Sequence, residues 1–137
     1  MNGELVKAVL DRTGVRIKQG YGLSETSPGC IHQTWDDWLF SAGSVGWLLP
    51  NLEIKFCNPV GDEASTESPA ELEAGATGEL HLRGPDVFQG YHNNETATRQ
   101  CLSADGWFRT GDIGHIDENG NIFITDRVKE LIKYKGK

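Results

Sequence analysis

Apolar residues recur at helical spacing in residues 3–12, and an apolar–basic alternation follows in residues 15–18. The first pattern predicts an amphipathic helix and the second a half-buried strand. Thr13 and Gly14 end the helix. The helix and the strand are interpreted as the end of an α/β sheet. The predicted apolar stripe of the helix consists of Leu5, Val6, Val9 and Leu10.

The later part of the chain alternates with period two, which is typical of strands. Strict alternation over residues 52–56 and 80–83 predicts two strands that each have one face in water. A third strand is predicted at 47–49, and Asn94 can cap a short helix at 95–102. Between the apolar runs 113–116 and 122–124, the Asn119–Gly120 pair predicts a hairpin. The fold class is therefore mixed α+β: the end of an α/β sheet followed by a β-rich, distorted barrel-like unit.

Composition narrows the class of protein. With 137 residues, 37% of them hydrophobic, the chain can form one modest core. No run approaches the about 18 apolar residues of a transmembrane helix, and no signal-peptide pattern opens the chain, so an intracellular protein is expected. Three scattered cysteines indicate neither a disulfide framework nor a zinc site. A net charge of −7 argues against nucleic-acid binding. Residues 62–75 are acidic and poor in apolar residues, which predicts a mobile surface loop.

The segment 19–29 carries the first candidate chemistry. Gly20 and Gly22 flank Tyr21, so this aromatic ring could lie against a planar ligand. Ser24 offers a hydroxyl and Glu25 a carboxylate, as expected where a phosphate oxygen and a hard cation meet. The alternative is a turn whose tyrosine caps the core, and this segment alone leaves both interpretations open.

The second candidate is the Thr110–Gly111–Asp112 turn. Gly111 can adopt backbone conformations that other residues avoid. Asp112 is therefore predicted to stand at the end of a strand, as a carboxylate placed by the scaffold. The alternative is an ordinary hairpin with a solvated acidic turn.

Four segments stand in a fixed order: YGLSE at 21–25, GELHLRGPDVFQGY at 78–91, WFRTGD at 107–112 and DRVKELIKYKG at 126–136. Together they resemble the later core motifs of the adenylate-forming superfamily of acyl-CoA synthetases, nonribosomal-peptide adenylation domains and luciferases. The last segment is most similar to the 4-coumarate–CoA ligase branch. The resemblance implies an ATP-dependent acid–thiol ligase that makes an acyl-adenylate and then an acyl-CoA, with ATP, Mg²⁺, CoA and a small carboxylic acid as ligands.

The resemblance also implies a role for each matching position. Tyr21 would stack near adenine, between Gly20 and Gly22 of the nucleotide loop, and Ser24, in place of the commoner threonine, would contact the α-phosphate. Glu25 would hold Mg²⁺. Asp112 would bind the ribose hydroxyls. The remaining positions are Arg127 beside the nucleotide, Lys129 at the interdomain hinge, the catalytic Lys133 that approaches the nucleotide, and Pro28 and Gly29 in the acyl pocket.

The family's phosphate loop and its adenylation lysine are not found in this sequence. The chain is therefore expected to be an internal part of a larger enzyme, inactive alone and completed by the other parts of that enzyme. Its expected divisions are 1–29 with the nucleotide loop, 30–126 as the β-rich subdomain and 127–137 as the hinge. The compartment would be cytoplasmic or peroxisomal. Two alternatives remain: a stand-alone module that binds AMP or an acyl-adenylate, and a truncated relic without function.

Overall fold

A computed structural model describes residues 3–36, 41–59 and 69–128. The described residues form two helices, seven short strands and one 3₁₀ turn, which follows the first strand. The elements are α1 Gly3–Thr13, β1 Gly20–Gly22, the 3₁₀ turn Ser24–Thr26, β2 Gly29–His32, β3 Trp47–Leu48, β4 Glu53–Cys57, β5 Gly78–Arg83, α2 Glu95–Cys101, β6 Phe108–Ile116 and β7 Ile122–Arg127.

The strands form two antiparallel sheets, β1–β2–β3 and β4–β5–β6–β7. Both sheets contribute to one apolar core, and an isolated bridge between Gly46 and Ile122 joins the chain before β3 to the start of β7. The predicted mixed fold is confirmed, although the described strands form two sheets rather than a closed barrel. The buried core residues are Cys30, Ile31, Leu52, Phe56, Leu80, Leu82 and Ile122.

Several elements form at the positions that the spacing of apolar residues, the helix cap and the Asn–Gly turn predict. These include α1, α2, β3, β4, β5 and the β6–β7 hairpin. Asn94 caps α2, because its side-chain oxygen accepts a hydrogen bond from Ala97 N at 3.0 Å. In the hairpin loop, Asp117 Oδ1 accepts hydrogen bonds from the backbone N–H groups of Asn119 and Asn121. The local chemistry of caps and turns thus agrees with the larger fold.

The predicted strand at residues 15–18 is wrong. These residues have no regular structure, and the side chain of Val15 is 57% exposed. A strand forms instead at Gly20–Gly22, within the glycine-rich segment 19–29, because β2 offers a partner in register at Gly20–His32 and Tyr21–Ile31. Within α1, Val6 is buried but Leu5 is 51% exposed, so the predicted apolar stripe is only partly covered.

The expected wet face of β5 is also wrong. Glu79 is 2% exposed and His81 is 1% exposed, and both lie on the face opposite the core residues Leu80 and Leu82. β5 has a strand on each side, β4 and β6, and the charge of Glu79 is balanced by Arg109 on β6. Alternation identifies the two faces of a strand, but it does not reveal what covers the second face.

The Gly46–Ile122 junction gives a test of how the two sheets are joined. Gly46 has φ +107°, and a methyl group there would overlap the carbonyl of His32. We expect Gly46→Ala to lower the free energy of unfolding by about 3 kcal/mol or more. Gly14→Ala is the matched control, because Gly14 has φ +68° with open space around it and should cost only about 1 kcal/mol. Urea unfolding followed by tryptophan fluorescence measures both, and equal losses would contradict the close approach at Gly46.

Candidate functional site

Asp112 lies inside β6, not at the end of a strand as predicted. Residues 110–112 of β6 stand opposite the single β5 residue Leu80, because Arg109 pairs with His81 and Ile113 pairs with Glu79. We call residues 110–112 the β6 bulge. Gly111 sits in it at φ +73°, a conformation that favours glycine. The carboxylate is therefore placed by an irregularity within a sheet, which gives it more rigid support than a loop would.

The Asp112 carboxylate is 4% exposed and has a partner at each oxygen. Oδ2 accepts a hydrogen bond from the Tyr21 hydroxyl at 2.6 Å, and Oδ1 lies 3.2 Å from Nε of Arg127. Arg127 is also the β7 residue in register with Asp112. Burial, followed by the hydrogen bond and charge of Asp112, raises the pKa of Tyr21 far above its ordinary value. Tyr21 therefore stays neutral and donates a hydrogen bond to Asp112.

The Tyr21 ring packs against the apolar core. The interpretation of Tyr21 as a core-capping tyrosine therefore describes its ring, while its hydroxyl serves Asp112. Stacking of this ring on adenine stays a prediction. The flanking glycines pair with β2, and Gly22 has no room for a side chain because the carbonyl of Pro28 lies directly beside it.

Glu25 is held on a short, well-anchored 3₁₀ turn. The hydroxyl of Thr26, which is buried beneath the turn, accepts a hydrogen bond from Leu23 N at 2.9 Å and donates one to the Pro28 carbonyl at 2.7 Å. The Glu25 carbonyl accepts a hydrogen bond from Phe88 N, and its Oε1 accepts one from the Tyr91 hydroxyl at 2.6 Å. The segment around residues 84–91 thus fixes both the backbone and the carboxylate of Glu25.

Glu25 and the β6 bulge meet at one cavity of about 430 Å³. Thr110 and Gly111 line it from β6, Tyr91 lies beside Glu25, and α2 forms another side. The side chains of Tyr21 and Asp112 are not among its lining residues, so they approach the bulge from another direction. The structure therefore brings Glu25 and the bulge, which belong to the two predicted segments, to one cavity.

Sequence reasoning missed a buried charged cluster beside the bulge. Glu79 Oε2 lies 3.4 Å from a terminal nitrogen of Arg109 and 3.6 Å from Nε2 of His81. Burial raises the pKa of the Glu79 carboxyl, but His81 and Arg109 outweigh that effect and hold the pKa below its ordinary value. Tyr91, the partner of Glu25, was missed as well. The signal in the sequence was Arg109, since opposite charges on neighbouring strands stabilise each other, but it does not show that its partner is buried.

The other predicted positions do not form one group. Lys129 and Lys133 lie outside the described residues. Ser24 and Pro28 are exposed and Gly29 is half-buried at the start of β2. The described part of the chain contains no group of three or more His, Cys, Asp or Glu side chains able to hold a metal. Among those same residues, no helix has the length and apolar character needed to cross a bilayer.

A sequence model of the family described as AMP-binding enzyme matches residues 1–92. The chain is 48% identical over 120 residues to a probable 4-coumarate–CoA ligase 2 of Dictyostelium discoideum, which covers 88% of this chain and 20% of that protein. The chain thus spans about a fifth of the length of the curated relatives it matches.

Two solved structures with nucleotides share the fold. ATP-bound MatB from Rhodopseudomonas palustris superposes with a TM-score of 0.78 at 30% identity, over 92% of this chain and 23% of MatB. The O-succinylbenzoate–CoA synthetase MenE of Bacillus subtilis, in complex with AMP, gives a TM-score of 0.73 at 27% identity, over 92% of this chain and 24% of MenE.

Tyr21→Phe tests the buried hydrogen bond. Without the hydroxyl, the Asp112 carboxylate keeps Arg127 as its one partner among the described residues. The Arg127 side chain is largely exposed, so the free energy of unfolding should fall by about 2 kcal/mol. Tyr91→Phe is the control. It removes a hydroxyl from an exposed tyrosine bonded to Glu25, and should cost no more than about 0.5 kcal/mol.

The Tyr21→Phe variant also tests how the stability contribution of Tyr21 depends on pH. The contribution of neutral Tyr21 is complete below the phenol pKa of the unfolded chain, about 10, and is lost as the pH rises further. The stability difference between wild type and Tyr21→Phe should therefore be constant near neutral pH and shrink in strong alkali. Urea unfolding over this pH range checks it, and a difference that grows above pH 10 would show that Tyr21 does not act as the donor.

Proposed function

The chain belongs to the AMP-binding enzyme family, and from that premise we propose that it forms one wall of the nucleotide site of an ATP-dependent carboxylic acid–CoA ligase. In such a ligase the acid attacks the α-phosphorus of ATP, which releases pyrophosphate and leaves an acyl-adenylate. The CoA thiol then displaces AMP to give the thioester. The observation that carries the proposal is the convergence of Glu25 with Thr110 and Gly111 of the β6 bulge on one cavity. Asp112, the next residue of the bulge, is held beside that cavity by Tyr21 and Arg127.

Asp112 is the proposed partner of the ribose hydroxyls. An ionised carboxylate has about four lone-pair positions and donates none, so it suits a pair of hydroxyl donors. Tyr21 and Arg127 occupy one position on each oxygen. Both oxygens therefore keep capacity for a further donor, and the existing partners hold them in a fixed orientation before the nucleotide arrives.

Glu25 is the proposed ligand of Mg²⁺, and the residues around it fit that role. Mg²⁺ in nucleotide sites commonly takes one or two carboxylates and completes its shell with phosphate oxygens and water, so a lone carboxylate is sufficient. Tyr91 is the only described residue that hydrogen-bonds the Glu25 side chain, and it uses Oε1. When bound, the metal supplies positive charge that neutralises the phosphates. Ser24, which is exposed next to Glu25, is the proposed donor to the α-phosphate.

The remaining roles are assigned to two lysines outside the described ranges, to Pro28 and Gly29, and to the rest of the enzyme. We propose Lys129 as the hinge and Lys133 as the catalytic lysine that approaches the nucleotide. Pro28 and Gly29 would border the acyl group. The phosphate loop would come from another part of an intracellular enzyme, cytoplasmic or peroxisomal.

The 137-residue chain should bind AMP with Mg²⁺ only weakly, with a Kd no better than about 1 mM, or about −4 kcal/mol. The reason is that the diol and one metal contact must act without a phosphate loop. Asp112→Asn should weaken binding, because the amide offers a donor where an acceptor is needed, while Glu118→Gln, the same change in the exposed hairpin loop, should not. Calorimetry measures the AMP affinity of the wild-type chain and of both variants.

A second experiment tests the assignment of catalysis to the larger enzyme. Neither one wall of a ligase nor a binding module for AMP, which the preformed Asp112 and Glu25 also favour, should react alone. Incubation of the chain with ATP, Mg²⁺, CoA and 4-coumarate should give no adenylate or thioester. Micromolar AMP affinity would favour the binding module, and product formed by this chain would contradict the assignment of catalysis to the larger enzyme.

A further inference from the structure

We propose that Glu79 is a positioning residue for Asp112: its side chain fixes the backbone of the β6 bulge and so sets the direction in which the Asp112 carboxylate meets the ribose hydroxyls. This inference rests on the proposed function of Asp112. It assigns a role to a residue on β5 whose side chain hydrogen-bonds the bulge rather than the Asp112 carboxylate, and which also borders the cavity shared by Glu25 and the bulge.

The bulge interrupts the hydrogen-bond ladder between β5 and β6. Three residues of β6 face one of β5, so the N–H groups of the bulge need other acceptors. Side chains supply them. Gly111 N donates to Glu79 Oε1 at 3.2 Å, and Asp112 N donates to the Thr110 hydroxyl oxygen at 3.1 Å. The Thr110 hydroxyl in turn donates to the carbonyl of Leu80 at 2.8 Å.

Gly111 is the residue of the bulge that most needs such a restraint. Its φ of +73° is open to glycine at little cost, and apart from its two chain neighbours no described residue has an atom within 4 Å of the position a Cβ would take. Packing around that position therefore does not prevent the peptide from rotating. The hydrogen bond from Gly111 N to Glu79 prevents this rotation. A rotation at Gly111 would turn the next residue, Asp112, away from its present direction.

The charges around Glu79 keep it in the form this role requires. A buried carboxylate without partners is strongly unfavourable, but Arg109 and His81 lie 3.4 Å and 3.6 Å from its Oε2. These contacts leave Oε1 to face Gly111. An ionised carboxylate only accepts hydrogen bonds, so Glu79 acts as the acceptor and Gly111 N as the donor.

The competing explanation is that Glu79 merely stabilises the sheet through a buried ion pair. A purely structural role would lower stability, but the folded molecules would still distinguish a ribose from a sugar without hydroxyls. A positioning role makes a different prediction, because only the contacts of the ribose hydroxyls depend on the direction of Asp112.

The experiment compares AMP with 2′,3′-dideoxy-AMP, both with Mg²⁺, by NMR titration of the 137-residue chain at a temperature where each variant is folded. Wild type should bind AMP about tenfold more tightly than the dideoxy analogue, the ratio expected when the diol contacts are lost. Glu79→Ala should reduce the ratio to about twofold or less. Glu79→Gln keeps an oxygen acceptor for Gly111 N and should retain a larger ratio. Leu82→Ala, a destabilising change of a core residue on the same strand, should keep the wild-type ratio.

The outcomes separate the two claims. A wild-type ratio near one overturns the ribose role of Asp112 and, with it, the inference drawn from that role. A tenfold ratio in wild type that Asp112→Asn removes but Glu79→Ala preserves overturns the positioning role alone. A ratio that falls equally in Glu79→Ala and Leu82→Ala also overturns it, because the loss would then follow stability.

Discussion

The buried carboxylate of Asp112 is the constraint on which the rest of this structure depends. A carboxylate that is almost fully removed from water must be compensated by donors, and here one donor comes from each sheet. Tyr21 belongs to β1 and Arg127 to β7, so satisfying one side chain fixes the two sheets relative to each other. The four-residue separation between Tyr21 and Glu25 then brings the 3₁₀ turn close to the β6 bulge.

A second layer of polar contacts supports this arrangement. The bulge that carries Asp112 takes its acceptors from Glu79 and Thr110, and the turn that carries Glu25 takes its restraints from Thr26, Phe88 and Tyr91. Asp112 and Glu25 are thus each held by neighbouring residues together with groups from distant parts of the chain. Such preorganisation reduces the ordering that a nucleotide would have to impose on binding.

Local sequence predicts much of this fold and less of the site. The helix caps and the hairpin follow from side chains within a few residues of one another, so Asn94 and the Asn119–Gly120 pair identify them. The strand expected at 15–18 depends on a partner, and β2 pairs instead with residues 20–22.

The bulge depends on the register between β5 and β6, about thirty residues apart, so no local pattern reveals that Asp112 lies within a strand. For the same reason, the burial of Glu79 and the bond from Tyr91 to Glu25 could not be anticipated. The four ordered segments indicated the family, which the comparisons confirm, while the role of each residue in the site stays a proposal.

The central claim is that Glu25 and the Asp112 bulge serve one bound nucleotide–metal complex. The most direct measurement is NMR line broadening on the 137-residue chain with ATP and substoichiometric Mn²⁺ in place of Mg²⁺. The account predicts that backbone amide signals of Glu25 and of Gly111 and Asp112 broaden together, and that removal of ATP abolishes the effect at the bulge. Broadening confined to the acidic residues of the hairpin loop, or at only one of the two segments, would contradict it.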